Sequence, residues 1–422
     1  MSRAHALPAL VKRLARGILL GGLAMAFLPH DAHAHGERAQ EPYLRTRTIQ
    51  WYDVSWSADQ LKVNDTITIT GRFRLFEDWP DAVHLPEVVF VSNGTPGPVL
   101  VRLESYLNGV PARQSFRNLE LGRDYEYKMV MKARVPGRHH VHPMIAIKGS
   151  GPLVGPGKWV EIDGSMADFS MPVTTLTGEK IANLEDWAVG RAVTWHLILV
   201  ALAAVWVLWW LRRPLLIPRY DALMRGREDL LVTNTDLKVA AGLLVVVVLL
   251  TFGGYHVTRT AYARTVPLQT GTMTTPPLPL EASPVKVRFE SADYDVPGRS
   301  MRVVMEVTNT GSKPVSLGEF TTANLRFVDM KLPAAKANVD PHYPQDLVAR
   351  NGLVLASYEP IAPGQTRVVS LEATDAAWEV ERLTSFLTDV DSKFGALLFF
   401  YDSDGKRYLN TVGGPILPVF RS

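Results

Sequence analysis

Three histidines fall within four residues in "GRHHVHPM", at His139, His140 and His142. If this segment is a strand, successive side chains alternate faces, so His140 and His142 share one side and His139 projects from the other. Two imidazoles two residues apart on one face can reach a single metal ion. Taken by itself, H-x-H is more often a polar strand edge with solvated histidines than a ligand pair. His35 changes that weighing. It follows Ala32-His33-Ala34, an A-x-A site, which in turn follows Arg3, Lys12, Arg13, Arg16 and the apolar run Ile18 to Leu28. A basic start, an apolar stretch and a small-residue site are the parts of a cleavable secretory signal. Ala24-Met25-Ala26 is a rival site, but it lies inside the apolar run. Cleavage after Ala34 makes His35 the mature amino terminus, where an α-amine and a ring nitrogen form a chelate from one residue. The α-amino pKa lies near 8, so a divalent ion can displace its proton at neutral pH. Amine plus three imidazoles supplies up to four nitrogen donors, a set that suits copper best among the first-row divalent ions. The plainer alternative is an adventitious amino-terminal copper site.

Composition narrows the chemistry. The 422 residues include 11 histidines and no cysteine. Disulfides, thiolate nucleophiles, zinc–cysteine sites, iron–sulfur clusters and a blue-copper thiolate are therefore all excluded. The formal net charge of +3, with both signs interspersed, gives no basic footprint for nucleic acid.

The elements that must position these residues read as two β regions separated by two membrane spans. Ala192 to Leu211 and Val239 to Val257 are uncharged apolar runs of the length needed to cross a bilayer. Trp195, Trp209, Trp210 and Tyr255 sit near their ends, as aromatic belts do, which leaves His196 and His256 as interfacial residues. Arg212, Arg213, Arg219, Arg225, Arg227 and Lys238 lie in or beside the short loop between the spans, so the positive-inside rule places that loop in the cytoplasm. Both flanking regions then lie outside, as the leader independently requires of the first. Expected boundaries are a signal peptide 1–34, an N-terminal domain 35–185, spans 186–212 and 238–260 around a cytoplasmic loop 213–237, a Pro- and Thr-rich linker 261–283, and a C-terminal domain 284–422.

Both outside regions read as all-β sandwiches or small barrels. "VNDTITITGRFRLF" alternates Ile67, Ile69 and the apolar residues of 73–76; "PVKVRFE" alternates Val285, Val287 and Phe289. "MRVVMEVTNTGSKPVSL" is strand, turn, strand, and "LLFFYDSDGKRYLN" is a hairpin around Asp404-Gly405. One helix is expected over Ala376 to Leu387, N-capped by Asp375. Glu77, Asp78 and Asp81 read as a solvated loop, and Trp51, Tyr52 and Trp56 as core or packing aromatics.

"HGERAQEPYLRTRTIQWYDVSWS", "HHVHPM" followed by "GSGPLVGPGKWVEIDGSM", then "PVTTLTG", "GEFTTANLRF", "IAPGQTRVV", "DAAWEVERL" and "SKFGALLFF" together resemble the B subunit of particulate methane monooxygenase, a family that includes the B subunit of ammonia monooxygenase. The resemblance runs in order through essentially the whole mature chain. It implies a mainly β protein with two transmembrane helices, its two periplasmic domains cupredoxin-like β-barrels. It implies a bacterial inner or intracytoplasmic membrane and assembly with integral-membrane A and C subunits as a trimer of three-subunit protomers. Residue by residue, the family's copper ligands in this subunit fall on His35, His140 and His142, and His139 is left out. Some relatives carry a further histidine, part of a second, single-copper site, where this chain has Gln50; a weakly donating glutamine implies that site is absent or poorly occupied. The activity implied is oxidation of methane to methanol with dioxygen. The same subunit in an ammonia or short-chain alkane monooxygenase, and a membrane-anchored copper-binding scaffold without turnover, are the alternatives.

Overall fold

The computed structural model describes residues 42–95, 97–175, 177–263, 271–374 and 391–421. The expected leader, His35 and the expected helix over Ala376 to Leu387 lie outside the described residues. The chain divides into two compact units, Met1–Ala167 with Gly271–Ser422, and Asp168–Thr270.

The N-terminal part of the first unit is built from two sheets. One has the strand order Ile49–Trp56, Thr66–Leu75, Asp124–Ala133, Leu100–Leu107, Val110–Pro111. Along Thr66–Leu75 burial strictly alternates, with Ile67, Ile69, Phe73 and Leu75 turned inward. That is the period of two a half-buried strand requires. The other sheet runs Thr272–Met273, Ser115–Arg117, Val88–Gly94, Gly137–Ile147, Lys158–Asp163, Gln60–Lys62. It contributes Val89, Val91, Val141, Ile145, Val160 and Ile162, all buried, to the same core. Part of the stretch expected as a linker is therefore sheet: Thr272 and Met273 pair in parallel with Ser115 and Phe116. Farther along, Leu278 N–H donates to the Asp124 carbonyl at 2.9 Å. Its prolines do not prevent this, because it pairs at an edge where few donors are needed.

The C-terminal β region has two five-stranded sheets of its own. Their orders are Leu353–Leu355, Thr366–Thr374, Ser300–Asn309, Val285–Asp295, Leu417–Val419, and Val348–Ala349, Leu325–Val328, Val315–Thr322, Lys393–Asp402, Arg407–Pro415. The turn after Ser300–Asn309 carries the chain between sheets: the Asn309 side chain donates to Lys313 and Ile361 carbonyls, both at 2.8 Å. The Asp404-Gly405 hairpin forms, with the Asp402 carboxylate accepting from the Asp404 and Lys406 amides. Lys393–Asp402 is buried on both faces rather than alternating. One reason is that the two β regions pack on each other: Tyr52 meets Phe399, Trp56 meets Tyr343, and Arg407 forms a two-pronged pair with Asp53. Trp51, Tyr52 and Trp56 are all buried, as expected of core aromatics. Asp78 is exposed but not merely solvated, since Lys393 lies 3.4 Å away and Arg47 3.6 Å.

In the second unit two long helices dominate, Val189–Trp210 and Asn234–Ala261. Each contains a window of mean hydropathy above 2, 2.1 and 2.3, none of it buried within the chain. Both are long and apolar enough to cross a membrane. The second starts at a capping box: the Thr233 hydroxyl accepts from Asp236 N–H while the Asp236 carboxylate accepts from Thr233 N–H. Asp236 also accepts from Trp209 Nε1 at 2.9 Å and from Arg213 at 2.7 Å, clamping the end of one helix to the start of the other. His196 Nδ1 bonds the Ala192 carbonyl at 2.7 Å on an exposed helix face.

Candidate metal centre

The strand Gly137–Ile147 lies in the middle of its sheet. One edge pairs with Val88–Gly94; the other is made by two segments, Lys158–Asp163 opposite Gly137–Val141 and Gly151–Val154 opposite Met144–Ile147. Between those two segments the Gly155-Pro156-Gly157 bend passes level with His142 and Pro143. Val141, Ile145 and Ile147 point into the core, so His140 and His142 share the opposite face. Their ring centroids are 4.3 Å apart at 79°. A ring nitrogen binds a first-row ion at about 2 Å, so rings this close can share one. His139 turns away, its Nε2 within 3.2 Å of the Val135 carbonyl and 3.3 Å of that of Pro136. The alternation expected from H-H-x-H is the alternation observed.

His142 is 3 % exposed, and its Nδ1 lies 2.9 Å from the Gly155 carbonyl. A carbonyl only accepts, so Nδ1 carries the proton and the lone pair resides on Nε2. Metal-ligating histidines are commonly oriented in this way by a backbone carbonyl behind the ring. Gly155 is itself fixed, its N–H donating to the Pro143 carbonyl at 2.8 Å. A Cβ there would stand 2.8 Å from the Pro143 ring and 2.9 Å from Trp51. Gly157 makes the room for the pair: a Cβ would stand 2.5 Å from His142 Nδ1 and 2.7 Å from His140 Cε1. His140, half-buried, stacks on Trp159, its direct partner across the strands, at 4.8 Å and 26°.

Beneath the bend, Trp51 meets Phe73 at 5.2 Å and Tyr127 edge-on at 5.1 Å, and Phe73 stacks on Tyr125 at 5.5 Å. Burial holds the Tyr127 phenol well above the ordinary tyrosine value. Burial and the adjacent Asp124 carboxylate do the same for Tyr52, which donates to Asp124 at 3.0 Å. Both phenols stay neutral and serve packing.

Gln50 is fully buried. Its Nε2 donates to the Trp51 carbonyl at 2.9 Å, and its Oε1 accepts from the Asn324 amide at 3.5 Å. Asn324 lies in the turn between Val315–Thr322 and Leu325–Val328 and has φ +65°. Its Nδ2 donates at 3.0 Å to the carbonyl of Val154, the residue before Gly155. The C-terminal β region thus touches the bend that orients His142.

Of the residues singled out from sequence, the structure brings together His140 and His142; His35 lies outside the described residues. Among the described residues no group of three or more His, Cys, Asp or Glu side chains could hold a metal ion. Two imidazoles, one with its tautomer set for ligation and both spared a collision by a glycine, nonetheless fit a nitrogen-ligated ion that draws further donors from elsewhere. Gly155, Gly157, Trp159 and Asn324 were not singled out. The Gly-Pro-Gly interruption just before an apolar strand was the available signal, since glycine in such a place marks a close approach.

The family model for the monooxygenase B-subunit protein matches residues 36–420. The chain is 44 % identical over 412 residues to the particulate methane monooxygenase alpha subunit of Methylococcus capsulatus (strain Bath), covering 97 % of this chain and 98 % of that one. It is also similar to the crystal structure of the cupredoxin domain of amoB from Nitrosocaldus yellowstonii, at 18 % identity, over 32 % of this chain and 98 % of that one, with a TM-score of 0.25, at which the overlap carries no argument. The match along nearly the whole length settles the family: this chain belongs to the monooxygenase B-subunit proteins.

Proposed function

We propose that this chain is the copper-binding B subunit of a membrane-bound monooxygenase complex that oxidises methane to methanol with dioxygen. The observation that carries the reading is the His140–His142 pair with His142 Nδ1 committed to Gly155, in a chain whose relative of 44 % identity is named for particulate methane monooxygenase. Copper is held by His35, through its amine and ring as the mature amino terminus, and by His140 and His142. A copper ion held there would supply one-electron exchange between Cu(I) and Cu(II), which no side chain offers. The chain's own residues bind and orient: Gly155 fixes the tautomer of His142, Gly157 leaves space for both rings, and the Gln50 amide serves as a joint to Asn324 rather than as a ligand.

The two helices anchor the chain in the lipid of a bacterial inner or intracytoplasmic membrane. Arg212, Arg213, Arg219, Arg225 and Arg227 keep the connecting loop in the cytoplasm, so both β regions are periplasmic and cupredoxin-like. The apolar helix faces left uncovered within the chain suit lipid and the A and C subunits, three such protomers forming the complex. The leader is removed after Ala34. The test is the solubilised complex carrying His140→Ala with His142→Ala. It should assemble, begin His-Gly-Glu by mass spectrometry, and lose a fraction of its copper together with methane oxidation. An assembled, active complex that retains its leader, or unchanged copper content in the double variant, overturns the reading.

A further inference from the structure

We infer that Trp159 is the positioning residue for His140: its indole holds that imidazole in the orientation that shares an ion with His142. This rests on the reading of His140 and His142 as copper ligands. The two histidines are restrained by different means. His142 is tied through Nδ1 to a carbonyl, whereas the His140 ring lies nearly parallel on the indole, 4.8 Å between centroids and 26° between planes.

Core formation does not account for Trp159. Its neighbours Val160 and Ile162 are buried at 0 % and 2 %, so strand alternation puts Trp159 on the other face, where it stays 48 % exposed. This chain's own core therefore does not fix the indole at that position. The register supplies a partner, since Trp159 is the residue directly opposite His140, where cross-strand side chains make their closest contact. The indole is itself held: the Arg138 guanidinium, two residues before His140 on the same face, sits 4.6 Å from the ring centroid.

A flat face against an imidazole opposes rotation about its χ2, a torsion that is otherwise broad. Stacking holds the ring in one plane, and fixing that plane limits the directions from which a ring nitrogen can meet the ion before the metal arrives. The ordering is then present in the metal-free protein, and copper binding gains by that amount.

The contact also provides a readout that activity does not. A Cu(II) ion on His140 lies close enough to the indole to quench its emission, and the difference between wild type and Trp159→Phe isolates the Trp159 share. The experiment takes the solubilised complex, strips it with a chelator and titrates it with Cu(II), following tryptophan emission and the Cu(II) paramagnetic resonance spectrum. Wild type, Trp159→Phe, Trp159→Leu and Trp159→Ala are compared. Copper should quench the Trp159 share. Trp159→Ala and Trp159→Leu, without a flat face, should bind copper roughly three- to tenfold more weakly with altered spectra, while Trp159→Phe restores both. Quenching in wild type with unchanged affinity and spectrum in Trp159→Ala and Trp159→Leu overturns the positioning role alone. Copper that binds without quenching overturns it by a different route, because the ion is then not at His140 and the ligand assignment itself fails.

Discussion

Replacing Gly157 with alanine tests the metal centre with one methyl group. Gly157 does not have a positive φ, so the main chain accepts alanine and only the side chain is at issue. The new Cβ would stand 2.5 Å from His142 Nδ1. Ordinary non-bonded contact is about 3.5–4.0 Å, and His142 Cε1 would lie nearer still than Nδ1, so the ring or the bend must give by more than about 1 Å. A retreat of that size stretches the 2.9 Å bond from Nδ1 to Gly155 beyond hydrogen-bonding reach. Losing that bond costs ~0.5–1.5 kcal/mol, and the forced repacking adds ~1–3 kcal/mol. Copper affinity should fall about 10- to 100-fold, the usual effect of disturbing the groups behind a ligand. The assays are copper titration of the chelator-stripped complex and thermal unfolding of the metal-free form. Gly94→Ala is the control: its Cβ would meet His142 Cβ at 3.4 Å, close to ordinary contact, and should do little. Wild-type copper affinity in Gly157→Ala would refute the assignment of the pair as ligands. A loss equally large in Gly94→Ala would show that any disturbance of the sheet suffices.

Two other expectations concern the frame around the site. Asn324→Gly keeps the positive φ at no steric cost while deleting the donor to the Val154 carbonyl 3.0 Å away. It should lower stability by ~1 kcal/mol, read as a reduced unfolding temperature, and an unchanged temperature would show that this bond adds nothing. Tyr294, buried in Val285–Asp295, has its phenol raised from 10.0 to about 12, first by burial, with Arg299 opposing and Asp295 adding. The unfolded state therefore loses that proton first, so the associated stability is intact below pH 10 and drains away as pH rises towards 12. Tyr294→Phe should flatten the alkaline fall in stability by up to one proton's worth; denaturant titrations across that range would expose an unaltered slope.

The parts of the fold legible in the sequence were those governed by local period. Thr66–Leu75 shows its alternation directly, and H-x-H put two imidazoles on one face because strand geometry admits nothing else. The long helix that begins at Asn234 starts five residues before the apolar run at Val239. A polar first turn built on Thr233 and Asp236 is invisible to hydropathy although it caps the helix. Trp159 was not legible as the neighbour of His140. Their pairing depends on how the chain runs out and back between them through Gly151–Val154 and the Gly-Pro-Gly bend, and no period in the sequence encodes that register. The glycines were missed for a related reason: their contribution is the absence of atoms, which becomes meaningful only when the rings they accommodate are in place.

The same logic accounts for the C-terminal β region, which contains none of the three proposed ligands. Asn324 reaches the Val154 carbonyl, Gly155 follows Val154, and the Gly155 carbonyl takes the proton-bearing nitrogen of His142. On its other side Asn324 donates its main-chain amide to Gln50, whose amide group is anchored to Trp51, and Trp51 packs where a Cβ on Gly155 would be. The bend is therefore gripped from both β regions. A glutamine at position 50 suits this joint because it offers an acceptor to Asn324 and a donor to Trp51 at once, with both ends inside a fully buried site. A neutral imidazole also carries one donor and one acceptor, but on a rigid ring that cannot direct them to these two partners while giving a lone pair to a metal. Position 50 can serve as a joint or as a ligand, and the hydrogen bonds formed here are those of a joint.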